Sequence, residues 1–285
     1  MLTRVDRVQV VVSDRGAAAA AFRRLLDAAA AREDRVRLLG ARRTVLRLGS
    51  SEIELLEPDG SGPAADFLSA THGGLFAAGF ATPDVARLRA HLSARGIAFE
   101  EEGGQLLLAP QALRQPGLRV VISAAAELPA NGLVQNLYEA TLLVEDFAAA
   151  VRAAASTFAL DASHFVPIRS REFGYEGILT LFDPDCLDRI EIITPNDAAK
   201  TMGRFFARRG PSWYMCFAEA ADLRPVRTRL LEYAAHDWSG PRDGVPDSLF
   251  IHPKALSGMM LGVSRTTHAW TWSGHPERVA AAGGA

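Results

Sequence analysis

The sequence predicts an α+β fold built from four copies of one small module with the element order β-α-β-β-β. An apolar strand followed by a helix opening recurs near residues 5, 75, 137 and 212, a period too long for a solenoid and typical of repeated small modules. Two strand-like segments that end in proline, Ser51–Pro58 and Arg189–Pro195, resemble each other, and each holds a glutamate between β-forming residues. A chain of 285 residues, 48% of them hydrophobic, can bury the cores of two domains.

Composition excludes several classes of protein. A net charge of −2 without a basic run is not typical of proteins that bind nucleic acid or membrane surfaces. Cys186 and Cys216 show no metal-ligand spacing, and the sequence starts with neither a leader pattern nor an apolar run of membrane-spanning length. We therefore expect a soluble, cytoplasmic protein that binds neither nucleic acid nor a membrane.

The first module begins with a predicted strand over Asp6–Ser13. Asp14 is a favourable N-cap for the alanine-rich helix predicted over Gly16–Ala31. Three more strands complete the module, around Val36–Leu39, Thr44–Leu48 and Glu52–Leu56. The turn-rich stretch Asp59–Pro63 separates this module from the next.

The same order of elements recurs three times. The second module has a strand at Leu75–Ala81 and a helix at Val85–Arg95, and the third has Leu137–Val144 and Phe147–Phe158. The fourth runs from the strand Trp213–Ala218 through the helix Leu223–Ala235 to strands at Ser248–His252 and Met259–Ser264. We read Ala124–Asn136 as a linker, which predicts domains at residues 1–125 and 135–270 with two modules each.

Three segments carry a resemblance to a known family: Ile53–Pro58, Val144–Asp146, and Ile251–Lys254 followed by Gly258. In their order within repeated modules, they resemble the vicinal oxygen chelate superfamily, which includes glyoxalase I, methylmalonyl-CoA epimerase and extradiol dioxygenases. The resemblance implies that each pair of modules curls into a cup, an open barrel around a metal and a small oxygenated substrate.

In this superfamily the metal ligands come from the first and last strands of each module, usually histidine first and glutamate last. Those positions match Arg7, Glu54, Ala77 and Val121 in the first pair of modules, and Glu139, Glu191, Tyr214 and Gly262 in the second. No first-strand position holds the histidine that a 2-His-1-carboxylate iron site needs. We therefore expect no cofactor and no metal ligands, although a divalent metal stays open.

Strand alternation predicts which side chains share the inner face of each cup. In the first pair, Arg7 lies opposite Glu54, so its guanidinium would take the place and charge of the metal as a bidentate salt bridge. In the second pair the predicted face is polar and holds small residues. It consists of Glu139, Thr141, Arg189, Glu191, Tyr214, Cys216, Gly262 and Ser264.

The second face predicts a proton-transfer site. Two neighbouring glutamates, Glu139 and Glu191, would push one pKa upward, as a base near neutrality requires. Tyr214 would donate a hydrogen bond to a developing oxyanion. Substrate contacts are predicted for Thr141, Arg189, Trp213, Cys216, Ser264 and His268. In the alternative interpretation, Glu139 pairs with Arg189 or Arg171 and has no chemical role.

These residues predict a metal-independent isomerase, epimerase or lyase that acts on a small oxygenated organic molecule. A second hypothesis is a binding protein without chemistry, which an aromatic lining of Trp213, Tyr214, Trp270 and Trp272 would favour. A third is a metal-dependent dioxygenase or glyoxalase. Whether the chain forms a homodimer stays open.

Overall fold

The computed structural model describes residues 1–281. It has the predicted α+β class, with two eight-stranded sheets and helices that pack on them. None of the described helices is long and apolar enough to cross a membrane.

The first sheet takes its strands from residues 4–124. They are β1 (Arg4–Val11), β2 (Ala29–Val36), β3 (Ala41–Leu48), β4 (Ser51–Pro58), β5 (Gly74–Thr82), β6 (Glu100–Glu102), β7 (Gln105–Leu108) and β8 (Val120–Ala124). Their order across the sheet is β2-β3-β4-β1-β5-β8-β7-β6. Each module contributes four strands, with its first strand at the centre of the sheet.

The second sheet repeats this arrangement with residues 136–265. Its strands are β9 (Asn136–Leu143), β10 (Phe165–Ser170), β11 (Tyr175–Leu181), β12 (Arg189–Pro195), β13 (Ser212–Ala220), β14 (Trp238–Ser239), β15 (Ser248–Ile251) and β16 (Met260–Arg265). The order is β10-β11-β12-β9-β13-β16-β15-β14. The shared order confirms the predicted repetition of modules.

Aspartate caps start three of the module-opening helices. The side chains of Asp14, Asp84 and Asp146 each accept a hydrogen bond from the backbone N–H three residues further on, which satisfies a donor that the first helical turn leaves open. The α-helices are α1 (Arg15–Leu26), α2 (Pro63–Thr71), α3 (Val85–Ala94), α4 (Pro110–Leu113), α5 (Phe147–Phe158), α6 (Thr201–Arg209) and α7 (Arg224–Tyr233).

Several predicted boundaries are wrong. Helix α1 ends at Leu26 rather than Ala31, because Asp27 adopts a left-handed conformation that closes the helix and the alanines after it enter the edge strand β2. The strand predicted at Val36–Leu39 is mostly a 3₁₀ turn, Arg37–Leu39. Helices α2 and α4 and strands β10 and β14 were not predicted.

Spatial proximity divides the chain into two compact units. The first unit consists of Met1–Val5, Ala77–Ala126 and Glu139–Tyr214, and the second of Asp6–Phe76, Glu127–Tyr138 and the chain from Met215 onward. Sheet membership instead follows the predicted domain division at residues 1–125 and 135–270, which stays a prediction.

Each unit has its own packed core. In the first, the ring of Phe80 contacts those of Phe158, Phe182 and Trp213, with centroids 5.6 to 6.3 Å apart. In the second, helices α1 and α7 pack together. Aromatic pairs at these separations add to the apolar burial that stabilises a core.

Candidate functional site

The parallel pairing of β9 with β12 assembles a polar cluster in the first unit. Glu139 lies beside Arg189, and Thr141 lies beside Glu191. Because residues two apart in a strand point to the same side, all four share one face of the sheet. Each is at most 4% exposed. Together with Tyr175 on β11, we call them the Glu191 cluster.

An ion pair fixes the first carboxylate of this cluster. Arg189 donates from Nε to Oε2 of Glu139 over 2.7 Å, and from Nη1 to the carbonyl oxygen of Leu187 over 3.1 Å. Since an unpaired charge would be strongly disfavoured at this depth, the pair holds Glu139 in place. Of the alternatives left open by the sequence, the pairing of Glu139 with Arg189 is the one observed.

The second carboxyl group lies in a different environment. The hydroxyl of Thr141 is 2.7 Å from Oε2 of Glu191 and 3.3 Å from Oε1 of Glu139. Burial and then the negative charge of Glu139 raise the pKa of Glu191 to about 8. In its acid form, Glu191 donates a hydrogen bond to Glu139. The site therefore holds a proton that is exchangeable near neutral pH.

The sequence did not identify Tyr175 as a member of this cluster. The residue is 9% exposed, and its phenol interacts with Glu191. Burial, followed by the charges of Glu191 and Glu139, raises the pKa of the phenol, so Tyr175 is a neutral donor. The alternation of Tyr175, Gly177 and Leu179 could have revealed it, but the sequence predicts a strand only over Ile178–Phe182.

A second polar cluster lies at the equivalent place in the first sheet, within the second unit. The parallel pairing of β1 with β4 sets Arg7 beside Glu52 and Gln9 beside Glu54. Arg7 donates from Nη1 to Glu52 over 2.8 Å and to Glu54 over 2.9 Å. The predicted Arg7–Glu54 salt bridge is confirmed. We call these four residues and Arg43 the Glu54 cluster.

The predicted bidentate contact between Arg7 and Glu54 is wrong. Nε and Nη2 of Arg7 both donate to Oδ2 of Asp6, over 3.2 and 2.8 Å, which leaves only Nη1 for the two glutamates. One guanidinium is thus shared among three carboxylates.

Three donors surround Glu54. Besides Arg7, the Nε2 of Gln9 donates over 2.9 Å and Nη1 of Arg43 over 3.1 Å. Burial by itself would raise the pKa of Glu54, but the charges of Arg7 and Arg43 and the bond from Gln9 hold it below its usual value. Glu54 is therefore a buried, ionised carboxylate that forms salt bridges with Arg7 and Arg43.

The two clusters are charge-reversed copies of each other. The first sheet has arginine on the first strand and glutamate on the last, Arg7 with Glu52. The second has glutamate first and arginine last, Glu139 with Arg189. The pair of Gln9 with Glu54 in the first sheet corresponds to the pair of Thr141 with Glu191 in the second. The reversal places a carboxylate, rather than a guanidinium, next to Glu191.

The residues at the superfamily's metal positions do not fit a divalent cation. In the Glu54 cluster the guanidinium of Arg7 lies against the carboxylates that a metal would need. In the Glu191 cluster, Arg189 pairs with Glu139, and Glu191 favours its proton. The described part of the chain contains no group of three or more His, Cys, Asp or Glu that could hold a metal ion.

Two further predicted site residues lie in the first unit. Tyr214 packs edge-on against Phe205 of α6 at 4.9 Å between ring centroids, and burial raises the pKa of its phenol. Trp213 donates from its indole N–H to the carbonyl oxygen of Arg119 over 2.7 Å. Trp213 thus belongs to the aromatic core described above.

Three others lie in the second unit. The Sγ of Cys216 is 3.8 Å from the Sδ of Met259, and the hydroxyl of Ser264 hydrogen-bonds to Tyr138 over 3.0 Å. His268 packs edge-on against Trp272, with 5.6 Å between ring centroids.

The prediction that Cys216 shares a face with Gly262 and Ser264 is wrong. The register of β13 with β16 pairs Phe217 with Gly262, and Cys216 with Leu261. The ring of Phe217 lies over Gly262, where a Cβ would collide with it. Since alternate residues face opposite sides, Cys216 points away from that face.

The raised pKa of Glu191 predicts that stability decreases as the pH rises. The folded protein keeps a proton that the unfolded chain releases near pH 4.5, so the stabilisation is complete below that pH and is lost towards pH 8. We expect a decrease on the order of 1 kcal/mol per pH unit within this window. Urea unfolding from pH 5 to 8 tests this, and Glu191→Gln should remove the slope. An unchanged slope in that variant would contradict the assignment.

The fold and these clusters define a protein of paired β-α-β-β-β modules with a buried carboxyl site. The family model described as Glyoxalase/Bleomycin resistance protein/Dioxygenase superfamily matches residues 6–107. The predicted resemblance to the vicinal oxygen chelate superfamily is thereby confirmed. No curated protein matches the chain.

Solved structures show the same architecture. A variant of 4-hydroxymandelate synthase from Streptomyces coelicolor aligns over 93% of this chain and 92% of its own, with a TM-score of 0.66 and 14% identity. A fusion of a xylose isomerase-like TIM barrel with 4-hydroxyphenylpyruvate dioxygenase aligns over 93% of this chain and 49% of its own, with a TM-score of 0.62 and 13% identity.

Streptomyces coelicolor methylmalonyl-CoA epimerase aligns over 44% of this chain and 100% of its own, with a TM-score of 0.39 and 21% identity. The likeness to the synthase confirms the fold with two cup-shaped domains. At these identities it shows the fold alone.

Proposed function

We propose that this protein catalyses proton transfer on a small oxygenated organic molecule, with Glu191 as the acid–base group. The observation that carries the proposal is the raised pKa of Glu191, which burial and the neighbouring Glu139 produce. A carboxyl group tuned towards neutrality can take up and return a proton at the same pH. The equivalent Glu54 is held ionised and cannot cycle in this way.

The rest of the cluster supports this role. Arg189 pairs with Glu139 and fixes its position, and Glu139 in turn accepts a hydrogen bond from the neutral carboxyl group of Glu191. When the substrate C–H bond next to a carbonyl breaks, its proton goes to the ionised Glu191 and the electron pair moves to the carbonyl oxygen. Return of the proton to the opposite face of the same carbon gives an epimerase. Its return to the former carbonyl carbon of an enediol, with the proton of the neighbouring hydroxyl moving to the other oxygen, gives an isomerase. No step uses a metal.

Glu139 and Tyr214 remain our proposed partners in catalysis, with Tyr214 as donor to the developing oxyanion. Thr141 and Arg189 act through the two glutamates, because their contacts are with those carboxyl groups. Substrate contacts of Trp213, Cys216, Ser264 and His268 stay proposals.

We expect Glu191→Gln to reduce proton exchange by about 100-fold, since the amide cannot accept the proton. The assay is the loss of α-proton NMR signals in D₂O from a panel of 2-hydroxy ketones, 2-keto acids and 1,3-diketones. In the wild type the rate should rise with pH to a plateau above the pKa of Glu191. The control Glu176→Gln changes a half-exposed glutamate on the opposite face of β11 and should exchange normally.

Undiminished exchange in Glu191→Gln would overturn the proposal. Exchange that stops in EDTA and returns with an added divalent ion would favour the metal-dependent dioxygenase or glyoxalase hypothesis. Elemental analysis of the purified protein gives the number of metal ions bound per chain.

The hypothesis of a binding protein without chemistry has one observation in its favour. In the second unit, the rings of Tyr138, Phe250 and Trp272 converge on Phe217, with centroids 5.7 to 6.3 Å apart. Phe250 and Trp272 are partly exposed, as in sites that bind flat apolar groups. Saturable binding of panel compounds without any α-proton exchange would support this hypothesis over catalysis.

A further inference from the structure

A glycine occupies the position in the second sheet that Arg43 occupies in the first. Arg43 on β3 pairs with the residue two places after Glu54, and Gly177 on β11 pairs with the residue two places after Glu191. Arg43 supplies the second guanidinium that keeps Glu54 ionised. The equivalent position beside Glu191 has no side chain.

Gly177 cannot be replaced by a larger residue without moving the backbone. A Cβ at this position would collide with the carbonyl oxygen of Ile192 on the neighbouring strand. Because residues two apart share a face, Tyr175 lies next to this vacant position on the side of Glu191. Its phenol lies near enough to Glu191 for that carboxyl group to contribute to the raised pKa of the phenol.

We propose that Tyr175 is the positioning residue of the site: its neutral hydroxyl orients the carboxyl group of Glu191 where, in the first sheet, the charged Arg43 orients Glu54. A neutral donor fixes the direction of the oxygen without the full charge that would keep the carboxyl group ionised. The consequence for catalysis rests on the proposed function, whereas the proposed hydrogen bond and its effect on Glu191 do not.

The test follows the titration of Glu191 itself and needs no substrate. In protein labelled with ¹³C at glutamate side-chain carboxyls, the resonance that disappears in Glu191→Gln identifies this residue. Tyr175→Phe removes a donor that favours the ionised form, so we expect the midpoint of this resonance to rise by about one pH unit. Tyr233→Phe removes an exposed phenol at the end of α7 and should leave the midpoint unchanged.

A second measurement uses protein that retains Tyr175. With 3-fluorotyrosine in place of the tyrosines, the ¹⁹F resonance of Tyr175 should shift with the midpoint of Glu191 and lose that step in Glu191→Gln. An unchanged midpoint in Tyr175→Phe, or a fluorine resonance indifferent to Glu191, would overturn the role of Tyr175. Neither result would bear on α-proton exchange, so the two proposals fail separately.

Discussion

Glu54→Gln is expected to lower the free energy of unfolding at pH 7 by about 3–5 kcal/mol, since it breaks a buried ionic network by removing one partner. Glu54 is fully buried and accepts hydrogen bonds from Arg7, Gln9 and Arg43. The amide removes the charge that compensates two buried guanidinium groups. It also turns one acceptor into a donor that faces other donors.

The same substitution at the equivalent position should not destabilise the protein at pH 7. Glutamine resembles the neutral form of Glu191 that the folded protein favours, and unlike Glu191 it takes up no proton on folding. We therefore expect the free energy of unfolding at pH 7 to rise, by about the amount that the wild type loses between pH 4.5 and 7. Glu57→Gln, a partly exposed control on the same strand as Glu54, should cost less than about 1 kcal/mol. Urea unfolding with unchanged m-values measures all three. Equal losses for Glu54→Gln and Glu191→Gln would refute the distinction between the clusters.

Much of the fold could be predicted from local sequence alone. Aspartates such as Asp14, Asp84 and Asp146 mark helix starts, and apolar runs such as Leu75–Ala81 mark central strands. The missed elements lack such signals: β10 is a half-exposed edge strand, and α2 opens at Pro63 within a stretch rich in turn residues. Alanines after Asp27 favour helix, yet pairing with β3 draws them into a strand.

The candidate site was only partly predictable, because alternation along one strand is local while register between strands is not. Alternation along one strand is enough to predict that Arg7 shares a face with Gln9, and Glu139 with Thr141. Their partners lie on the last strands, β4 and β12, which the sequence repeat identifies. Tyr175 and Arg43 reach their glutamates from a third strand, whose register depends on hairpin geometry. For the same reason Cys216 was assigned to the face of Gly262 and Ser264, whereas the observed register places Phe217 beside Gly262.

The charge reversal between the sheets predicts that Glu139→Arg combined with Arg189→Glu is tolerated. Either change alone brings like charges together in a buried pair, Arg189 with a new arginine or Glu139 with a new glutamate, and should cost about 3–5 kcal/mol or more. The double variant reproduces the arrangement of Arg7 with Glu52 in the first sheet. We expect it to recover at least half of the summed loss in a double-mutant cycle measured by urea unfolding.

Recovery of stability should not bring back proton transfer. In the first sheet, Nη1 of Arg7 lies 2.9 Å from Oε1 of Glu54. An arginine at position 139 would contact Glu191 in the same way and would lower the pKa of Glu191 to that of an ordinary ionised carboxylate. The double variant should then fold, lose the decline of stability between pH 5 and 8, and exchange α-protons more slowly. If it folds and keeps wild-type exchange, the charge next to Glu191 does not control the chemistry. If it remains as unstable as the single variants, the two sheets are not interchangeable scaffolds for a buried ion pair.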